Sequence, residues 1–124
     1  MEKTILIVED DPKNLTLFRD LLRVTGYITI EATNGRQGVE LAREKQPGLI
    51  LMDIRMPEMD GIEATKILKA DTLTRNIPVI ALTAYAMKED REKAFEVGFD
   101  GYIAKPIDIH EFLKKVTEFL SPGG

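Results

Sequence analysis

Polar side chains stand where four of the short apolar runs end, and they carry the chemistry legible in the chain. Ile5-Leu6-Ile7-Val8 runs into Glu9-Asp10-Asp11, and Leu49-Ile50-Leu51-Met52 runs into Asp53. A later run ends at Thr83, and the last one leads into Lys105-Pro106. Carboxylates gathered on one rim repel one another and raise each other's pKa unless a cation joins them. The ligand set is all oxygen, with no sulfur or imidazole nearby, so a hard divalent ion is implied. Mg²⁺ typically takes one or two carboxylates, keeps several waters and shares a phosphate oxygen. Such a site leaves Asp53 able to accept a phosphoryl group, with the ion and Lys105 offsetting charge on its oxygens. Thr83 supplies a hydroxyl for a phosphate oxygen.

Composition narrows the alternatives. At 124 residues the chain fits one domain and leaves no room for a second. Hydrophobic residues make up 44% and charged residues 31%, the balance of a folded soluble protein. Seventeen Lys and Arg against 21 Asp and Glu give a net charge of −4, a poor match to a phosphate backbone, so no direct nucleic-acid binding is expected. The absence of cysteine removes disulfides, thiolate zinc sites and cysteine nucleophiles. A single histidine, His110, excludes multi-histidine metal sites and makes Ser-His-Asp catalysis hard to build. It is expected to face solvent. The longest apolar runs are far below the roughly 20 residues a membrane span needs. The start goes straight into a strand-like run without a signal-peptide pattern, so a cytoplasmic location is expected.

The elements that must position these residues alternate strictly. Strand-like runs at Ile5–Val8, Ile28–Ala32, Leu49–Met52, Val79–Leu82 and Tyr102–Ala104 are separated by segments of helical length. The first, third and fourth are nearly continuous in aliphatic residues, as in strands covered on both faces of a parallel sheet. Leu15, Phe18 and Leu22 recur at helical spacing, as do Ile109, Phe112, Leu113, Val116 and Leu120. Asp11-Pro12 reads as an N-cap followed by proline in the first turn, with Gly26 beyond the helix end. Asp60-Gly61 can open the third helix, and Asp108 with Glu111 resembles a capping box for the last. Asp71–Asn76 reads as a loop, and residues 121–124 as a frayed tail. Strict βαβ alternation implies an α/β domain with right-handed crossovers and its chemistry outside the carboxyl ends of the strands. Met52, Met56, Met59 and Met87 read as packing and loop residues.

These strand-end segments, with Ile54-Arg55-Met56-Pro57, Asp60-Gly61, Ile80-Ala81-Leu82-Thr83-Ala84 and Gly101-Tyr102-Ile103-Ala104-Lys105-Pro106, resemble the receiver domain of two-component response regulators, of which the chemotaxis regulator is the minimal example. The resemblance covers about residues 3–120. It implies a flavodoxin-like, doubly wound, five-stranded parallel sheet of order 2-1-3-4-5 with five helices, residues 1–124 forming a single receiver domain. In that order a short threonine reaches Asp53 from the adjacent strand, and a lysine two strands away needs its long side chain; strands lie about 4.8 Å apart.

By the same resemblance Asp53 is the phosphoacceptor, charged from a phosphohistidine on a histidine kinase or phosphotransfer protein. Asp10 and Asp53 bind Mg²⁺, with the backbone carbonyl of Arg55 as a third ligand and Glu9 acting through water. Thr83 and Lys105 contact the phosphoryl oxygens, and Lys105-Pro106 is a cis peptide. Thr83 and Tyr102 form the switch: Thr83 shifts toward the phosphate and Tyr102 turns inward behind it. The bistable element is the Thr83–Met87 loop with the fourth helix, fifth strand and fifth helix, whose face binds a downstream protein. A monomer is expected, with weak dimerisation on phosphorylation as the alternative. The Glu9-Asp10 pair and Ala84-Tyr85-Ala86-Met87 look most like stand-alone cell-cycle regulators and the receivers of hybrid kinases. Two positions depart from the usual pattern. Asp11 is a third acid that either adds charge or caps the first helix, and Gly38 replaces the more usual alanine at about 1 kcal/mol in a helix interior.

Other functions fit less well. A phosphatase of the haloacid dehalogenase type wants a second acid two residues after the first, where Arg55 stands, and a cap domain for which there is no length. A flavodoxin-like cofactor binder wants a Ser/Thr/Gly-rich loop where Glu9-Asp10-Asp11 would repel phosphate. A phosphorylation-independent docking domain would have no use for an intact acceptor set. The expected role is therefore a signalling phosphoacceptor that assists its own phosphorylation and dephosphorylation, not an enzyme acting on a free substrate.

Overall fold

A computed structural model describes residues 3–56, 59–84 and 88–120, the side chains of 88–90 excepted. Pro57, Met87, most of the Ala84–Met87 stretch and the tail 121–124 lie outside the described residues. The strands are β1 (Thr4–Val8), β2 (Ile28–Ala32), β3 (Leu49–Asp53), β4 (Val79–Thr83) and β5 (Gly101–Ala104). Between and after them lie α1 (Pro12–Val24), α2 (Gly35–Lys45), α3 (Gly61–Ala70), α4 (Lys88–Val97) and α5 (Ile109–Leu120). All strand pairings are parallel, in the order β2-β1-β3-β4-β5. The expected flavodoxin-like topology is the observed one. β3 and β4 run one residue further than the apolar runs suggest, so Asp53 and Thr83 are their last strand residues.

Every residue of β1, β3 and β4 is buried, because helices cover both faces of the sheet. One core contains Ile5, Ile7, Leu51, Leu82, Ile103 and the stacked rings of Phe18 and Phe112, whose centroids are 5.4 Å apart. The other contains Leu6, Val8, Met52 and Ala81 with Val39, Leu68 and Ala94 from α2, α3 and α4. The two-residue strand period sends alternate side chains to these two cores. Ile109 departs from the apolar stripe read for the last helix: at its first position it is half exposed.

Capping fixes where the helices begin. Asp11 accepts from the Lys13 amide (2.9 Å) with Pro12 in the first turn, Asp60 from Glu63 (2.9 Å) and Asp108 from Glu111 (3.0 Å). Asn34 accepts from Gln37 at the start of α2. Gly38 has a packing reason: a Cβ there would lie 2.8 Å from a methyl of buried Val8, so α2 rides closer to β1 than alanine allows. No helix of the described residues is long and apolar enough to cross a membrane.

Candidate functional site

Strand order and register bring the acids together. β1 and β4 flank β3, with Val8 level with Met52, so Glu9 and Asp53 leave the sheet at the same height. By strand alternation Glu9 and Asp53 are in phase with Ile7 and Leu51, toward the side covered by α1 and α5. Thr83 and Tyr102 are in phase with Ala81, toward α2, α3 and α4. Glu9 is fully buried, Asp53 is 5% exposed, and Asp10 is exposed at the rim. One carboxylate oxygen from each of these three lies within 4.8 Å of those of the others.

Lys105 enters from the far side of β4 and ties the acids together. Its ammonium donates to Glu9 Oε1 at 2.6 Å and pairs with Asp53 Oδ2 at 3.3 Å. Burial opposes its charge, but the Glu9 hydrogen bond and the two carboxylate charges prevail and hold its pKa above the ordinary lysine value. Asp53 carries the opposite stress. Burial, then the hydrogen bond and charge of Glu9, push its pKa from 3.8 up to about 7, with Lys105 only partly offsetting them. The other Asp53 oxygen accepts weakly from the Arg55 amide at 3.3 Å.

The remaining residues singled out in the sequence fall around this centre. Thr83 is buried at the end of β4, one register step beyond Leu82, the partner of Asp53. Its carbonyl accepts from the Lys105 amide at 2.7 Å, and the Lys105–Pro106 bond is cis. Tyr102 is buried in the same core as Ala94 of α4. Of its two readings Asp11 takes the second, capping α1 outside the acidic cluster. His110 is exposed, as expected.

Two features escaped the sequence. One is the direct Lys105–Glu9 bond; a carboxylate directly after a fully buried strand needs a partner, and that cost applies to Glu9 as much as to Asp53. The other is Gly61. A Cβ there would collide with the Asp53 carbonyl oxygen, while its amide donates to the Ile54 carbonyl at 2.9 Å. Only glycine lets α3 begin directly against the backbone that presents Asp53.

The sequence matches the family model described as response regulator receiver domain over residues 5–117. It is 49% identical over 120 residues to the polar-differentiation response regulator DivK of Brucella anthropi, spanning 97% of this chain and 98% of that protein. The receiver domain of sensor histidine kinase PA1611 from Pseudomonas aeruginosa, crystallised with a magnesium ion coordinated in its active-site cleft, aligns with a TM-score of 0.89. The two are 37% identical, over 97% of this chain and 98% of that one. Chemotaxis protein CheY4 of Vibrio cholerae gives a TM-score of 0.91 at 25% identity, over 97% and 100% of the two chains. Both kinds of relative suggested by Glu9-Asp10 are represented, a regulator of one receiver's length and a receiver from a sensor kinase.

Proposed function

Because this chain belongs to the response regulator receiver domain family of two-component signalling, we propose that Asp53 is its phosphoacceptor and Glu9, Asp10, Thr83 and Lys105 its working partners. What carries the reading is three carboxylates within 4.8 Å of one another, two of them bridged by one lysine. The donor set also fits Mg²⁺, being all oxygen and more negative than one lysine neutralises. Asp10, Asp53 and the Arg55 carbonyl would hold the ion directly, and Glu9 through water. Bound there, it supplies positive charge for phosphoryl oxygens.

The protein's own groups do the rest. Asp53 attacks the phosphorus of a partner's phosphohistidine as the carboxylate; the P–O bond forms, the P–N bond breaks and the imidazole leaves. Lys105 offsets charge on the acceptor, and Thr83 donates its hydroxyl to a phosphoryl oxygen. The donor is a histidine kinase or phosphotransfer protein, and a small cavity of about 120 Å³ beside Lys105, lined by Leu17, Phe18 and Ile107, offers it apolar footing. Phosphorylation then shifts the face formed by α4, β5 and α5, where a groove of about 340 Å³ lined by Phe95, Tyr102, Lys115 and Phe119 is open to a downstream protein. Residues 3–120 act as one receiver unit. The chain serves as a phosphoacceptor, not as a phosphatase: the second acid such an enzyme needs is replaced by exposed Arg55.

Incubation with Mg²⁺ and acetyl phosphate, read by intact mass, tests this. One phosphoryl group is expected, absent from Asp53→Asn and absent with EDTA. Phosphorylation that survives in Asp53→Asn overturns the assignment of the acceptor.

A further inference from the structure

The junction between β2 and α2, Thr33-Asn34-Gly35, supplies no group to the phosphoacceptor reading, yet it adjoins the backbone on both sides of the acidic centre. Ala32, the last residue of β2, accepts from the Glu9 amide at 3.0 Å, so the junction begins where Glu9 is held. Three residues on, Gly35 opens α2 against Met59. A Cβ there would run into the Met59 carbonyl oxygen and lie 3.0 Å from the Met59 side chain. Met59 leads into Asp60-Gly61, and Gly61 lies against the Asp53 carbonyl with its amide donating to Ile54 at 2.9 Å. The route from Gly35 to Asp53 thus runs through three consecutive residues, 59–61, with close backbone contacts at both ends.

The junction is stiff. Asn34 Oδ1 accepts from the Gln37 amide at 2.8 Å, and Gln37 Oε1 accepts in return from the Thr33 amide (2.9 Å) and hydroxyl (3.3 Å). This is a capping box whose returning side chain takes the residue before the cap, so it ties the first turn of α2 to the end of β2. The helix is in turn seated on β1, with Gly38 close against Val8 and with Val39 and Ala42 buried. Met59 is only half-buried. A group added at Gly35 is therefore expected to displace Met59 and not the helix, and close packing passes that displacement on to Gly61.

We propose that Asn34 and Gly35 are positioning residues for the acidic centre: the capped glycine start of α2 sets the Met59–Gly61 backbone, and through it Asp53, at a fixed place relative to Glu9. Both act on the acids through backbone, as outer-shell partners orient metal ligands. An ion such as Mg²⁺, which demands near-octahedral geometry, depends on that spacing more than the larger and more tolerant Ca²⁺ does. The use of the device for Mg²⁺ and phosphoryl transfer rests on the phosphoacceptor reading; the mechanical link from Gly35 to Asp53 does not.

Gly35→Ala in the full chain, set beside Gly98→Ala, tests the link. Gly98 has a φ of +114° and stands ahead of β5 against Lys69, so alanine there destabilises the protein without pressing on Met59. In EDTA the Glu9, Ile54 and Gly61 amide resonances are expected to shift in Gly35→Ala and to stay in place in Gly98→Ala. By calorimetry, Mg²⁺ affinity is expected to fall about tenfold in Gly35→Ala. Ca²⁺ affinity is expected to fall only about threefold, so the preference for Mg²⁺ over Ca²⁺ drops. Gly98→Ala is expected to keep both affinities. Asn34→Ala should weaken Mg²⁺ binding in the same sense, and Asn34→Ser, which caps without adding charge, should restore it. That pair decides the matter if Gly35→Ala does not fold. Shifts confined to residues 33–38 and Met59 with Mg²⁺ affinity unchanged overturn the proposal. So does an equal loss of affinity in Gly98→Ala, which would make the effect one of general stability. A wild-type protein that binds no Mg²⁺, or binds it and takes no phosphoryl group at Asp53, counts against the phosphoacceptor reading alone, the link being judged by the amide shifts in EDTA.

Discussion

Replacing Asp53 with asparagine in the presence of EDTA is expected to stabilise the protein, and to do so more at pH 8 than at pH 5. The Asp53 carboxyl is moved from 3.8 to about 7, first by burial and then by Glu9. That is about three powers of ten in proton affinity, or about 4 kcal/mol at 1.36 kcal/mol each, felt in full only where the carboxylate is forced to ionise. The folded state binds more protons than the unfolded one between those two values, so wild-type stability falls as pH rises through that window. Asparagine does not titrate there. It still buries a polar amide and forfeits the Lys105 pairing, which removes roughly half of the benefit. A gap of about 2 kcal/mol in favour of the variant is therefore expected at pH 8, mostly gone by pH 5. Urea denaturation at the two pH values, with equal m-values as a control, measures it. Saturating Mg²⁺ should close the gap by stabilising the wild type, since only the intact carboxylate set binds the ion well. A variant no more stable at pH 8, or a gap equal at both pH values, would show that Asp53 is not the strained group the geometry implies.

Other substitutions separate the roles of neighbouring residues. Lys105→Met leaves buried Glu9 without its ion pair and should cost about 3 kcal/mol at pH 8 in EDTA by urea melts. Asp11→Ala should cost about 1 kcal/mol through the lost cap while leaving Mg²⁺ affinity, followed by calorimetry, unchanged. Gly61→Ala, which sets a methyl against the Asp53 carbonyl, should cost about 3 kcal/mol in thermal melts and slow acetyl-phosphate labelling by displacing the acceptor strand end.

Much of this protein is determined by sequence alone because its signals are local. Continuous aliphatic runs mark the fully buried strands, Asp11-Pro12, Asp60-Gly61 and Asp108 mark three helix starts, and a charged or hydroxyl side chain at the end of four runs marks the working rim. Asp11, followed by proline, reads as a cap in the sequence, and whether it also adds charge to the acidic rim is decided by its bond to the Lys13 amide.

What the tertiary structure decided is non-local. Sheet order and register set Glu9 level with Asp53 and bring Lys105 across two neighbouring strands to both, so that burial and repulsion combine to raise the Asp53 pKa. Gly38 reads as a helix-interior cost and Gly61 as part of a helix start, and the packing need for each appears only where a Cβ would meet Val8 or the Asp53 carbonyl. The 2.8 Å bond from the Lys69 ammonium to Asp100 joins residues 31 apart, each of them an ordinary charged surface residue in the sequence. Sequence fixes which groups are available; their energies depend on neighbours the chain supplies only after folding, since desolvation and charge act through space and not along the backbone.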